Sequence, residues 1–142
     1  MIFSFSKTIY GYECDVYGHL NNANYLHLLE AARSEAMVDI GLPIAKLNAM
    51  GIQFFVYRVE MDFLRAVELD EIATVKSCFF EMNRLKGRWK QEVYNPRGEK
   101  CLSAILTVVF AGNGAAKRLP VDVYDQIRAY GEKEQDEKPA GK

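Results

Sequence analysis

From Tyr25 the apolar residues Tyr25, Leu28, Leu29, Ala32, Ala36 and Ile40 recur at helical spacing, with His27, Glu30, Arg33, Ser34 and Asp39 between them. The spacing predicts an amphipathic helix of about four turns. Asn21, Asn22 and Asn24 are N-cap residue types, and Gly41 followed by Pro43 is a stop signal, so both ends are punctuated. Before it, Ile2 to Tyr12 alternates Phe3, Phe5 and Ile9 with Ser4, Ser6, Thr8 and Tyr10, the pattern of a half-buried strand. After it, Pro43 to Met50 reads as a short second helix closed by Gly51.

The second half of the chain is strand-rich. From Phe55 to Phe63 the odd positions are apolar and Arg58, Glu60 and Asp62 occupy even ones, which predicts one strand whose odd side faces the core. The segments from about Ile72 to Met82 and from Leu102 to Phe110 are apolar on both parities, as in central strands covered on both faces. One cover is the long helix, and a second subunit is a candidate for the other. Arg88 to Val93 is a further strand with Trp89 and Val93 on one side, and Asn95-Pro96-Arg97-Gly98 is the turn that leads to the next. These strands make an antiparallel meander, and Pro120 opens a closing helix on Val121, Val123, Tyr124 and Ile127. One long helix against a run of antiparallel strands is an α+β pattern. We expect a single domain over residues 1–131 and a mobile, charged tail over 132–142, which has no apolar anchor.

Composition narrows the function classes. The 142 residues suit one domain with a real core, and 49% hydrophobic content argues against a disordered body. A net charge of −1 excludes a global field for nucleic acid or an acidic membrane, so any anion site must be local. The N-terminus has neither a basic run nor a long apolar run, and no stretch reaches membrane-span length. Cys14, Cys78 and Cys101 are odd in number and widely spaced, without metal or redox pairing, which predicts a reducing, cytoplasmic setting. No phosphate-binding Gly-rich motif, metal-ligand pattern or Gly-x-Ser-x-Gly elbow occurs, so no metal or cofactor is expected.

The candidate chemistry sits just before the long helix, in Cys14 to Tyr25. An aspartate, Asp15, lies a short loop upstream of a helix start whose free amides favour developing negative charge. A carboxylate acting as base or nucleophile beside such amides can hydrolyse an activated acyl group. Taken alone, an Asp in a Gly/Asn-rich turn is more often a turn former, and a lone His19 there is more often structural. Cys14 carries no sign of activation as a nucleophile.

The run Asp-x-x-Gly-His-Leu-Asn-Asn-x-x-Tyr, Asp15 to Tyr25, resembles the signature of hotdog-fold acyl-CoA thioesterases of the 4-hydroxybenzoyl-CoA thioesterase type. It also resembles the Asp-x-x-x-His-x-Asn-Asn stretch of plant acyl-ACP thioesterases. The segment Val59 to Glu71 looks like the family's second block, and the likeness runs over about the first 120 residues. The resemblance implies a hotdog fold, a curved antiparallel sheet wrapped around one long central helix, in homodimers or homotetramers with active sites at subunit boundaries. It implies Asp15 as the catalytic carboxylate and the backbone N–H of Asn22 as the donor to the thioester carbonyl. Gly18 permits a tight loop approach in the family, and a turn would ask for glycine equally. His19, Asn21 and Tyr25 hold the loop and line the cleft, with a supporting proton-transfer role open to His19. The basic residues Arg84, Lys86, Arg88 and Lys90 fall at the family's nucleotide-contacting turn, and Lys117 and Arg118 near a phosphate position. Tyr17 stands where acyl-ACP thioesterases carry an asparagine, which favours acyl-CoA over an acyl carrier protein thioester as substrate. Two other classes stay open at this point: an enoyl-thioester hydratase or dehydratase on the same fold, and a non-catalytic acyl-CoA-binding module.

Overall fold

The computed structural model describes residues 1–131. The expected charged tail, 132–142, lies outside the described residues. In chain order the elements are β1 (Phe3–Thr8), a 3-10 turn (Gly11–Glu13), α1 (Asn24–Ile40), α2 (Ile44–Ala49), β2 (Gln53–Phe63), β3 (Ile72–Phe80), β4 (Lys86–Tyr94), β5 (Lys100–Gly112), β6 (Ala115–Ala116) and α3 (Val121–Arg128). The strands form one antiparallel sheet in the order β1-β3-β4-β5-β2, with β6 added to β5. With α1 held against β1 and β3, this is the expected α+β hotdog arrangement.

The helix reads as its spacing predicts: Tyr25, Leu28, Leu29, Ala32, Ala36, Met37 and Ile40 are buried toward the sheet. Its stop is also as predicted. Gly41 takes φ 87°, Gly41 N donates to Val38 O and Leu42 N to Met37 O, so the last carbonyls are satisfied by the left-handed turn that glycine adopts without strain. The start differs. Ala23, the residue before the helix, is already in a helical conformation, so of the three asparagines it is Asn21 that receives an amide through its side chain, Oδ1 accepting from Ala23 N, while Asn22 and Asn24 do not cap.

The inner face of the sheet carries Ala73, Val75, Ser77 and Phe79 from β3, Trp89, Gln91 and Val93 from β4, and Leu102, Ala104, Leu106, Val108 and Phe110 from β5. Trp89 packs against Phe79 with centroids 3.7 Å apart and the rings tilted by 34°, within a single core cluster. The outer face bears ion pairs such as Arg88–Glu81 and Arg58–Glu60, and among the described residues no second apolar cover lies over β3 and β5.

β2 corrects the periodicity reading. Val56 pairs with Val108 and Arg58 with Thr107, leaving Tyr57 as an extra residue, a β-bulge. Side chains therefore change face at Tyr57: Phe54 and Val56 before it, and Val59, Met61 and Phe63 after it, share the inner side, while Phe55 turns to the outer one. β2 is also the sheet's edge, and its apolar residues remain open, Phe55 at 54% and Tyr57 at 74% exposure.

Candidate active site

The chain leaves β1, makes the 3-10 turn and enters a small hairpin closed by a Cys14–Leu20 bridge. Asp15 sits on it. Asp15 N donates to His19 O at 2.9 Å and Gly18 N to Asp15 O at 3.1 Å, so the backbone doubles back within four residues. Gly18 takes φ 76°, and among the described residues nothing stands within 4 Å of where a Cβ would be, so it serves the turn rather than a close approach at its α-carbon. The hairpin docks on the segment before β3: Leu20 N donates to Val67 O, Leu69 N to Gly18 O, and His19 bridges to Glu68.

The Asp15 carboxylate is fixed on one side only. Its Oδ1 accepts from Tyr17 N at 2.9 Å and His19 N at 3.2 Å, an Asx turn that sets the side-chain angle. Oδ2 has no hydrogen-bond partner among the described residues, and Asp15 is only half-buried. An oxygen held ready while its twin anchors the group suits a base or a nucleophile. The His19 imidazole makes no hydrogen bond among the described residues; its backbone does the positioning. Burial, with Asp15, Glu13 and Asp70 adding to it, pushes the Cys14 thiol above its ordinary pKa, the wrong direction for a thiolate.

At the head of α1, Asn21 Oδ1 accepts from Ala23 N and Asn21 O from Asn24 N, both at 2.9 Å. The intervening Asn22 N–H finds no acceptor among the described residues and lies exposed beside the positive end of α1. Tyr25 is not on a cleft wall. It is 2% exposed, packs edge-on against Phe63 with centroids 5.6 Å apart, and has its phenol pushed up to about 12 by burial, with a Val67 backbone hydrogen bond opposing. Helical spacing had already placed its ring on the apolar stripe.

The basic residues gather at one place, but not at this one. Leu119 N donates to Arg84 O and Arg84 Nε to Leu119 O, both at 2.8 Å, so the 117–119 segment lies against the β3–β4 turn and brings Lys117 and Arg118 beside Arg84 and Lys86. Arg88 is committed to Glu81 and Glu60 on the outer face and lies over the Phe80 ring. This cluster is where β3 ends and β4 begins, whereas the Asp15 hairpin adjoins the start of β3. The nine residues of β3 separate them by about 27 Å of strand rise. A groove of about 440 Å³ runs between α1, α2 and the first half of β2, lined by Met37, Leu47, Phe54, Val56 and Trp89 with Arg33 on its wall. Arg33 Nη1 donates to the buried Gln91 at 2.9 Å, and burial pulls its guanidinium below the ordinary value, Glu30 working the other way. Among the described residues no cluster of His, Cys, Asp and Glu could hold a metal ion, and no helix is long and apolar enough to cross a membrane.

The family model of the thioesterase-like superfamily matches residues 11–129, from the turn before Asp15 to the end of α3. The chain belongs to the thioesterase-like superfamily. Its enzyme class follows: a thioester hydrolase. It is 31% identical over 100 residues to the long-chain acyl-CoA thioesterase FadM of Escherichia coli, a match covering 70% of this chain and 75% of that protein. Among solved structures it resembles the probable thioesterase YbaW of Escherichia coli, with a TM-score of 0.77 and 25% identity over 92% of this chain and 99% of the other. It also resembles the DHNA-CoA thioesterase of Staphylococcus aureus, with a TM-score of 0.81 and 22% identity over 91% and 88%.

Three residues around the candidate site are not singled out by the sequence pattern. Glu13 accepts from Lys7 Nζ at 2.6 Å and Tyr10 N at 2.8 Å and anchors the 3-10 turn. Asn24 Nδ2 donates to Glu13 O at 2.9 Å. Arg33 faces the groove from a helical position that reads as a solvated stripe. The only available signal was chemical: an Asn in the first helical turn, where it costs propensity.

Proposed function

We propose that this protein is an acyl-CoA thioesterase in which Asp15 activates water or attacks the thioester carbonyl directly, while the Asn22 N–H and the start of α1 receive the oxyanion. In the first route water's proton passes to Asp15, hydroxide adds to the carbonyl and CoA leaves as the thiolate. In the second an acyl-aspartyl anhydride forms, CoA leaves, and water then hydrolyses the anhydride. The observation carrying this reading is the half-tied carboxylate: Oδ1 held by two amides, Oδ2 open, and the unclaimed Asn22 amide on the next turn of chain. His19 supports the loop, and the apolar groove beneath α1 takes the acyl group. The long-chain acyl-CoA named for the FadM relative suits the apolar side of this groove, formed by Met37, Leu47, Phe54, Val56 and Trp89.

Arg84, Lys86, Lys117 and Arg118 hold the phosphates of CoA, an arrangement that needs a second copy. A protomer cannot span the distance from Asp15 to its own cluster with β3 between them. Antiparallel pairing of two β2 edges sets the cluster of one copy beside the Asp15 end of the other and covers Phe55, Val56, Tyr57 and Val59, which a lone chain leaves exposed. The enzyme thus works as a homodimer, alone or paired into a tetramer, in the cytoplasm. The test is release of thiol from acyl-CoAs of graded chain length, aryl-CoAs and acyl carrier protein thioesters, followed with a thiol reagent. Release from CoA thioesters is expected, and no release above background from any of them would sink the proposal.

A further inference from the structure

We propose that Asn24 is a positioning residue that fixes the base-bearing hairpin to the head of α1 and so sets the distance between Asp15 and the Asn22 amide; the inference rests on the hydrolytic reading above. One atom joins the two halves of the site. Glu13 O accepts Asn21 N and Asn24 Nδ2, each at 2.9 Å, which uses both lone pairs of that carbonyl. Glu13 lies two residues before Asp15, and Asn22 lies between the two donors, so the clamp is as near to both reacting groups as the backbone allows.

Among the described residues the Asn24 side chain makes no other hydrogen bond. It does not cap α1: the side-chain oxygen that takes an amide at the helix head is Asn21 Oδ1, from Ala23 N. Asparagine is among the poorer residues inside a helix, so helix propensity alone favours alanine at this position. Its amide instead reaches out of the helix to a loop carbonyl eleven residues earlier. The Cys14–Leu20 bridge closes the hairpin on itself and the segment before β3 holds it through Val67, Glu68 and Leu69, while its contact with the head of α1 rests on this bond and on Asn21 N. A displacement of about 1 Å between reacting groups can cost a hundredfold in rate, so losing one of two donors at the joint is felt at Asp15 without loss of fold.

Asn24→Ala removes the donor and improves helix propensity. Asn24→Asp replaces the donor with a carboxylate that repels Glu13 O and suits the positive end of the helix. Both variants should stay folded and melt close to the wild-type temperature, the helix gain offsetting the lost bond in part. On the best acyl-CoA found, kcat should fall about ten- to hundredfold with KM nearly unchanged. In the Asp15→Asn background, Asn24→Ala should cost nothing further, because there is no longer a base to aim. Full turnover in both Asn24 variants would overturn the proposal. So would a loss of the same factor with and without Asp15, which marks a general weakening of the fold. An Asp15→Asn enzyme with unimpaired turnover would instead remove the base itself and with it the role of Asn24, so the two failures are told apart by the Asp15 arm alone.

Discussion

Asp15→Asn is the most informative single substitution, because the structure shows which half of the carboxylate an asparagine can replace. The amide oxygen can keep the bonds from Tyr17 N and His19 N, so the turn survives. What is lost is the open oxygen, which becomes an NH₂ with neither basicity nor nucleophilicity. Turnover should fall by about a hundredfold or more with KM and melting temperature little changed. A folded variant that keeps a tenth or more of the turnover would show that Asp15 only shapes the loop. At this scale much was readable: a carboxylate, a turn glycine and a helix start within a few residues announce themselves by type and spacing. Asn24 was not. Its amide reaches back to Glu13 O, and which way such a side chain turns follows from packing that a linear pattern does not carry.

Elements whose residues all obey one period were legible, as α1 shows, and β2 was misread because one extra residue, Tyr57, reverses the period halfway. Buried polar groups stayed hidden for a related reason: Gln91 and Ser77 occupy inward strand positions that a hydrophobic pattern treats as outward. Gln91 is 0% exposed and joins three elements, its amide donating to Leu29 O on α1 and Ser77 Oγ on β3 while its carbonyl receives Arg33. Gln91→Leu leaves those groups without that partner and should cost about 1–3 kcal/mol in chemical denaturation. Adding Ser77→Ala should return part of that loss, since one stranded hydroxyl is removed; a Gln91→Leu protein as stable as wild type would refute the network's role. The turn between β4 and β5 makes a pH prediction. Arg97 bonds Glu71 at 2.7 Å and Glu99 at 3.0 Å. Glu71 is held below the ordinary 4.5 chiefly by Arg97, and Glu99 first by Asn95 and then by Arg97. A lowered carboxylate contributes stability above its unfolded pKa and loses it as pH falls through the folded one. The melting-temperature gap between wild type and Arg97→Ala should therefore be widest near neutrality and close below pH 4.5; a gap independent of pH would assign the effect to packing.

The molecule as a whole has two chemically different ends and an open edge between them. Sequence likeness supplied both ends as one site, since residues far apart in a chain are free to be imagined together; the register of β3 and β4 keeps them at opposite ends of the sheet. A composite site resolves the conflict and makes a demand that a within-chain site does not. Arg84→Ala with Lys86→Ala should weaken full CoA thioesters more than truncated pantetheine thioesters, because only the former carry the distal phosphates. Val59→Lys, which charges the edge strand, should yield monomers in size-exclusion light scattering with little activity. The decisive step is to mix two weakened proteins, Asp15→Asn and the Arg84/Lys86 double variant, under conditions that exchange subunits. In a mixed dimer the intact Asp15 of one copy meets the intact cluster of the other, so one of its two sites is whole. An equal mixture should recover roughly a quarter of the wild-type sites, measured as turnover at low CoA-thioester concentration. Activity that stays at the average of the two weakened parents, with exchange verified, would show that each chain builds its own site and would overturn the composite arrangement.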